Sequence, residues 1–243
     1  MDVTDIFHNG VSLLDKAMGT QLKTAVDKER KTMERLTIQV GLYEVNCSIL
    51  GEGGKAWIVD PGHEADRIAS LLEKKGLEPA AILLTHAHFD HIGGVPGLLE
   101  RFPSLPVYIG EKDMAVISHP MNQLPPDYPP VKKPESLRAI GQESLAALED
   151  LGPLEQLEKL EVIETPGHTP GGVCYYFPEE KLLLSGDTLF AGSVGRTDLP
   201  GGDMATLVES LKKLTALPDD TLVVPGHGPH TTIGAEKRSN PFL

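Results

Sequence analysis

Apolar positions in the first 34 residues recur at three- and four-residue steps: Phe7, Val11, Leu14, Met18, Leu22 and Val26, with Lys, Asp and Glu between them. That spacing lines one face of a helix, so residues 1–34 are predicted to form an amphipathic helical extension. Its stripe has to be buried, either on the rest of the chain or against a second copy in a homodimer, and the spacing leaves both open.

From Leu36 onward the period changes. Residues 36–40, 43–50 and 55–59 are short, β-branched runs separated by glycine, with Gly51-Glu52-Gly53-Gly54 as a hairpin turn. Asp60-Pro61-Gly62 stops the third run, and residues 64–75 read as a helix closed by Gly76. Ala81-Ile82-Leu83-Leu84 reads as a buried strand, and a helix opens within 92–99. A similar order returns later. Val162 and Ile163 lead into Thr165-Pro166-Gly167-His168, and two strands over 173–177 and 182–184 are joined through Pro178-Glu179-Glu180. A helix over 203–214 has Asp203 as its N-cap, and a last strand over 221–224 ends at Pro225-Gly226-His227-Gly228.

Between the halves, residues 118–134 carry Pro120, Pro125, Pro126, Pro129, Pro130 and Pro134, so neither a regular helix nor a central strand is expected there. A loop of that kind is a lid over a site or a surface connection. Residues 135–150 read as helical. Alternating strands and helices point to an α/β domain over residues 35–243.

Composition narrows the class. The chain has 243 residues, 40% of them hydrophobic, which suffices for a large core. Its 22 basic and 35 acidic residues give a net charge of −13, which argues against a nucleic-acid-binding surface. No apolar run reaches the roughly 18–20 residues of a membrane span. Met1-Asp2-Val3-Thr4-Asp5 lacks the basic lead and apolar core of a secretory signal. Cys47 and Cys174 lie in strand-like runs and read as buried thiols, so a cytoplasmic location is expected.

The chemistry concentrates in Thr85-His86-Ala87-His88-Phe89-Asp90-His91, with three imidazoles and a carboxylate between positions 86 and 91. No helix or strand needs that arrangement for its own stability. His86 and His88 share one direction while Asp90 and His91 diverge, which suits two neighbouring metal ions. His168, Asp187 in Ser185-Gly186-Asp187-Thr188, and His227 each follow a strand-like run and have small neighbours that leave the approach open. His8, His63, His119 and His230 lack such settings.

With H-x-H-x-D-H at 86–91 followed by His168, Asp187 and His227, the chain from about Leu36 to its end resembles the metallo-β-lactamase-fold hydrolase superfamily. The phrases at 165–169, 185–190 and 225–228, the Gly195-Arg196-Thr197-Asp198 loop and the ending Asn240-Pro241-Phe242-Leu243 are similar to its compact bacterial glyoxalase II-like branch. The resemblance implies an αββα four-layer sandwich with the site at one edge. It implies one metal on His86, His88 and His168, a second on Asp90, His91 and His227, and Asp187 bridging them. Zinc is the first expectation for these divalent ions, with iron or manganese as alternatives.

A metal-bound hydroxide, positioned by Asp90 and Asp187, would then attack a small-molecule thioester of the hydroxyacylglutathione kind. Asp60 matches an acid that supports the ligand loop, although an Asp before proline also forms turns for its own sake. Arg196 is a candidate for a substrate carboxylate or for a local ion pair with Asp198. The helical C-terminal domain that completes the glutathione site of longer glyoxalase II enzymes is not expected in the few residues after His227. Alternatives within the resemblance are a persulfide dioxygenase with one non-haem iron on His86, His168 and Asp187, and a lactonase-type hydrolase. A metal-dependent scaffold without activity is the remaining reading.

Overall fold

The computed structural model describes residues 33–119, 131–141 and 160–243. The helix predicted over 1–34, with its choice between packing in cis and dimerisation, lies outside the described residues apart from Met33 and Glu34. So does most of the proline-rich stretch.

Two sheets carry the fold. The first runs β1 (Glu34–Val40), β2 (Val45–Glu52), β3 (Lys55–Val59), β4 (Glu78–Leu83), β5 (Val107–Gly110) and β6 (Leu137–Ile140), in that spatial order. β1, β2 and β3 pair antiparallel, and β3 through β6 pair parallel. The second sheet uses β7 (Glu161–Glu164), β8 (Val173–Phe177), β9 (Leu182–Gly186), β12 (Leu222–Pro225) and β13 (Thr231–Thr232), ordered β13-β12-β9-β8-β7. β9 and β12 pair parallel. β10 (Leu189–Phe190) and β11 (Ser193–Val194) form a small separate hairpin.

Side-chain alternation builds the layers. In β3, Trp57 and Val59 face the second sheet, while Ile58 faces the opposite way, toward helix α1 (Ala65–Lys75). In β8, Val173, Tyr175 and Phe177 join the inter-sheet core, and Cys174 and Tyr176 face helix α4 (Met204–Thr215). The central strands of both sheets are therefore buried on both faces, which explains why they read as nearly continuous apolar runs.

Ile68 and Leu72 of α1 and Leu207, Leu211 and Leu214 of α4 supply the helical stripes that cover the outer faces. Short helices α2 (Phe89–Ile92), α3 (Val95–Arg101) and α5 (Ile233–Ser239) complete the αββα sandwich. Gly76 closes α1 with φ +66°, and its N–H bonds to Glu73 and Leu72 carbonyls, the left-handed cap expected of it. Asp203 caps α4, its side chain accepting from the Thr206 N–H at 2.7 Å. No helix of the described residues is long and apolar enough to cross a membrane.

The helix expected over residues 135–150 is corrected. Leu137–Ile140 is a strand, parallel to β5. β5 would otherwise present an unpaired row of backbone groups at the sheet edge, and pairing them outweighs local helix preference. Residues 142–150 lie outside the described set. The β5 strand itself, the 3-10 turn Glu111–Ala115 and α5 were not anticipated from the pattern. β1 begins at Glu34, one residue inside the segment assigned to the extension.

Trp57 fills the space between the sheets, with its indole N–H unpartnered. Trp57→Ala is expected to cost about 3–5 kcal/mol in denaturant unfolding, through lost burial and a residual cavity. Trp57→Phe should cost clearly less, because no hydrogen bond is lost with the indole.

Candidate metal centre

Parallel strands bring their carboxyl ends to one edge of a sheet, and loops leaving that edge converge. β3 and β4 do this in the first sheet and deliver Asp60 and the loop of His86, His88, Asp90 and His91. β9 and β12 do it in the second and deliver Asp187 and His227.

Hydrogen bonds stitch the two edges together. Val173 N–H donates to Thr85 O at 2.9 Å, and the Tyr175 hydroxyl donates to Leu84 O at 2.8 Å. Asn46 donates from its backbone to Gly226 O (2.8 Å) and from its side chain to Pro225 O (3.0 Å) and Gly228 O (2.9 Å). Gly226 has to be glycine here: a Cβ would lie 2.2 Å from Asp187 Oδ1 and 2.7 Å from His91 Cε1.

All seven residues singled out in the sequence meet at this edge. Three overlapping groups each bring their donor atoms within 4.8 Å of one another: His86, His88 and His168; His86, His91 and Asp187; and Asp90, His91 and His227. Among the described residues, His63, His119 and His230 belong to none of these groups.

Hydrogen-bond partners assign the ring tautomers. The Thr85 hydroxyl donates to Asp60 Oδ2 at 2.7 Å, so it accepts from His86 Nδ1–H at 3.0 Å. His91 Nδ1–H donates to Asp60 Oδ2 (3.0 Å), His168 Nδ1–H to Arg196 O (2.7 Å) and His227 Nδ1–H to Tyr43 O (2.8 Å). Four Nε2 lone pairs are thereby left facing the centre.

Apart from His88 Nδ1, whose tautomer no other bond assigns, the groups they face there are acceptors too. His91 Nε2 lies 3.3 Å from His227 Nε2 and 3.3 Å from Asp187 Oδ1, and His227 Nε2 lies 3.2 Å from Asp90 Oδ2. His168 Nε2 lies 3.5 Å from Asp187 Oδ2 and 2.8 Å from His88 Nδ1. His86 Nε2 and Asp187 Oδ1 are buried without any hydrogen-bond partner. Lone pairs gathered this way, two of them orphaned, fit a cation and little else. The nitrogen and oxygen donor set is that of a divalent transition metal.

The acids around the centre draw positive charge to it, and without an ion a proton on His91 answers that pull. Burial opposes charge on His91, yet Asp187, Asp60 and Asp90 outweigh it and hold this imidazole well above its ordinary range. Burial drives His86 well below that range, and burial with His168 beside it takes His88 down to about 4. Burial would raise Asp187, but His91, His168 and His227 keep it far below the usual carboxylate range. Asp90 is also lowered, burial being outweighed by the neighbouring imidazoles of His91 and His227.

Asp60 acts on the ligand loop itself. Besides its bonds to the Thr85 hydroxyl and His91, its Oδ1 accepts from Thr85 N–H at 2.8 Å. The Arg196 guanidinium is held by Asp198 through two 2.7 Å bonds, while its backbone carbonyl orients His168. Thr85, Asn46 and Tyr43 escaped sequence reading, because an ordinary strand-end threonine, asparagine or backbone carbonyl carries no signal of what it will meet. Cys47 and Cys174 are buried in β2 and β8; burial raises both thiols, Cys174 to about 11, so neither is a ready nucleophile.

Asp60→Asn is expected to weaken metal binding roughly 10–100-fold, the range for partners that orient a ligand. An amide cannot accept from Thr85 N–H, the Thr85 hydroxyl and His91 at once. Competition with a chromogenic chelator measures the effect.

Comparison with known proteins places this geometry in a family. The family model of the metallo-beta-lactamase superfamily matches residues 40–227. Hydroxyacylglutathione hydrolase GloC of Haemophilus influenzae is 37% identical over 216 residues, 85% of this chain and 96% of that protein. The crystal structure of the B3 metallo-beta-lactamase BLEG-1 has a TM-score of 0.73 and 38% identity, covering 86% of this chain and 99% of its own. The structure of TTHA1623 in a di-iron-bound form has a TM-score of 0.72 and 39% identity, covering 86% of this chain and 100% of its own. The matched span takes in every one of the converging donors, from His86 to His227, and this chain belongs to the metallo-β-lactamase superfamily.

Proposed function

We propose that the chain is a dinuclear metallohydrolase acting on thioesters of the hydroxyacylglutathione type. The observation that carries this reading is the set of four imidazole lone pairs, each fixed by a hydrogen bond on the far side of its ring, converging with His88 and two carboxylates. His86, His88 and His168 would hold one divalent ion, Asp90, His91 and His227 the other, with Asp187 between them. Ions so held supply Lewis acidity, activating water near neutral pH and drawing electron density from a carbonyl. Zinc suits the nitrogen and oxygen donors; the di-iron form of TTHA1623 makes iron the alternative.

The remaining residues bear on the substrate. His86 and His91 are buried, whereas His88 and His227 are partly open, so a substrate reaches the centre from their side. Tyr43 packs edge-on against Phe89 there, with ring centroids 5.4 Å apart, and Phe190 lies 6.3 Å from the His227 ring. That rim is apolar. Asp90 and Asp187, both held below the usual carboxylate range, carry no proton for a leaving group at neutral pH. A thiolate departs without one, since free thiols ionise near pH ~8.5, whereas an amine does not. The overall similarity to GloC supports the same substrate class. A carboxylate of the substrate would have to compete with Asp198 for Arg196.

β-Lactam cleavage is the second reading, favoured by the similarity to BLEG-1. The deciding experiment combines elemental analysis with parallel assays on lactoylglutathione and a chromogenic cephalosporin. Two ions per chain and thioester turnover are expected, lost in His86→Ala and Asp187→Ala while the chains stay folded by circular dichroism. Turnover of the cephalosporin alone would replace the thioester reading. One iron per chain with oxygen uptake on glutathione persulfide would replace hydrolysis altogether.

A further inference from the structure

Beyond the ligands and Asp60, one more buried acid touches the ligand loops. The 3-10 turn Glu111–Ala115 follows β5 directly and carries Asp113, which is 0% exposed. Its Oδ2 accepts from Ala87 N–H at 3.0 Å, and its Oδ1 accepts from Gly171 N–H at 2.6 Å. Ala87 stands between His86 and His88, and Gly171 stands three residues after His168. The first loop leaves β4 of one sheet; the second joins β7 to β8 of the other.

The fit around this turn is close. A Cβ on Gly171 would lie 2.4 Å from Asp113 N and 2.7 Å from Asp113 Oδ1, and a Cβ on Gly110 would lie 1.9 Å from Gly171 O. Burying a carboxyl group is unfavourable unless its oxygens find donors. Here two donors belong to the two backbone segments that carry His86, His88 and His168.

We propose that Asp113 is a positioning residue: it sets the spacing between the His86–His88 pair and His168, and so governs the three-histidine ion position selectively. This rests on the reading that the seven donors hold two ions. Asp60 contrasts with it, because Asp60 bonds to both Thr85 and His91 and serves both positions. Among the described residues, Asp113 bonds the backbone of Ala87 and Gly171 and not Asp90, His91 or His227 themselves, so its removal should leave that position close to intact.

The test uses the full chain, stripped of metal and titrated with Co²⁺ under chelator competition, with the d–d absorption bands recorded. Wild type, Asp113→Ala and Asp113→Asn are compared, with Leu72→Ala in α1 as a destabilised control remote from the ligand loops. In wild type two ions are expected, and fewer would sink the two-ion reading and this inference with it. With two ions in wild type, Asp113→Ala should bind one of them roughly 10–100-fold more weakly and the other as before, with a changed absorption band for the weakened position. Asp113→Asn keeps one acceptor oxygen and should fall between; if Asp113→Ala does not fold, Asp113→Asn carries the test. Equal weakening of both ions, no weakening, or the same selective loss in Leu72→Ala would overturn the role assigned to Asp113.

Discussion

The centre depends on one carboxylate. Asp60 sits in the left-handed region, with φ +50°, at the turn that ends β3, a conformation that asparagine and aspartate tolerate better than most side chains. From there it binds Thr85 twice and His91 once. Those bonds do more than hold a loop. By accepting from the Thr85 hydroxyl, Asp60 makes Thr85 an acceptor for His86, and by accepting from His91 Nδ1–H it turns the other ring nitrogen inward. Two imidazoles are thus set in the tautomer that offers Nε2, with backbone carbonyls doing the same for His168 and His227. An imidazole whose Nδ1–H is bonded neither rotates nor changes tautomer without breaking that bond, so the site is preorganised.

Such a site needs two rigid supports, and the sandwich provides one from each sheet. Parallel pairs β3/β4 and β9/β12 end at the same edge, and their strands are buried on both faces, which leaves the loop bases little freedom. Bonds from Val173, Tyr175 and Asn46 then cross between the sheets immediately behind the donors. The small residues around the ligands serve closeness rather than flexibility. A Cβ on Gly62 would lie 1.7 Å from Asp90 O, and one on Gly226 would reach Asp187. His86 and His91 are buried while His88 and His227 are partly open beside the Tyr43, Phe89 and Phe190 rings.

Much of this was legible beforehand, for identifiable reasons. Strands buried on both faces make unbroken apolar runs, so β3, β8 and the helix α1 with its Gly76 cap stood out. Metal donors are rare residue types set among glycine and proline, so His86 to His227 could be named without coordinates. Residues 137–140 misled because their side chains do not announce a strand; the exposed edge of β5, created by distant residues, is what recruits them. Arg196 reads from the sequence as an anchor for a substrate carboxylate or as an ion pair with Asp198; its side chain is paired with Asp198, and its link to the centre is a backbone carbonyl, which every residue has.

By itself, then, the sequence determined which atoms are chemically able to bind metal and which segments are buried, because residue type and periodicity are local properties. Only the tertiary structure decided which nitrogen of each imidazole faces inward, which atoms Asp60 holds, and how Thr85, Asn46, Tyr43 and Asp113 enter the site. Those outcomes are set by hydrogen bonds between groups separated by up to 184 positions along the chain, and no local pattern encodes the meeting of two surfaces that exist only once both sheets have formed.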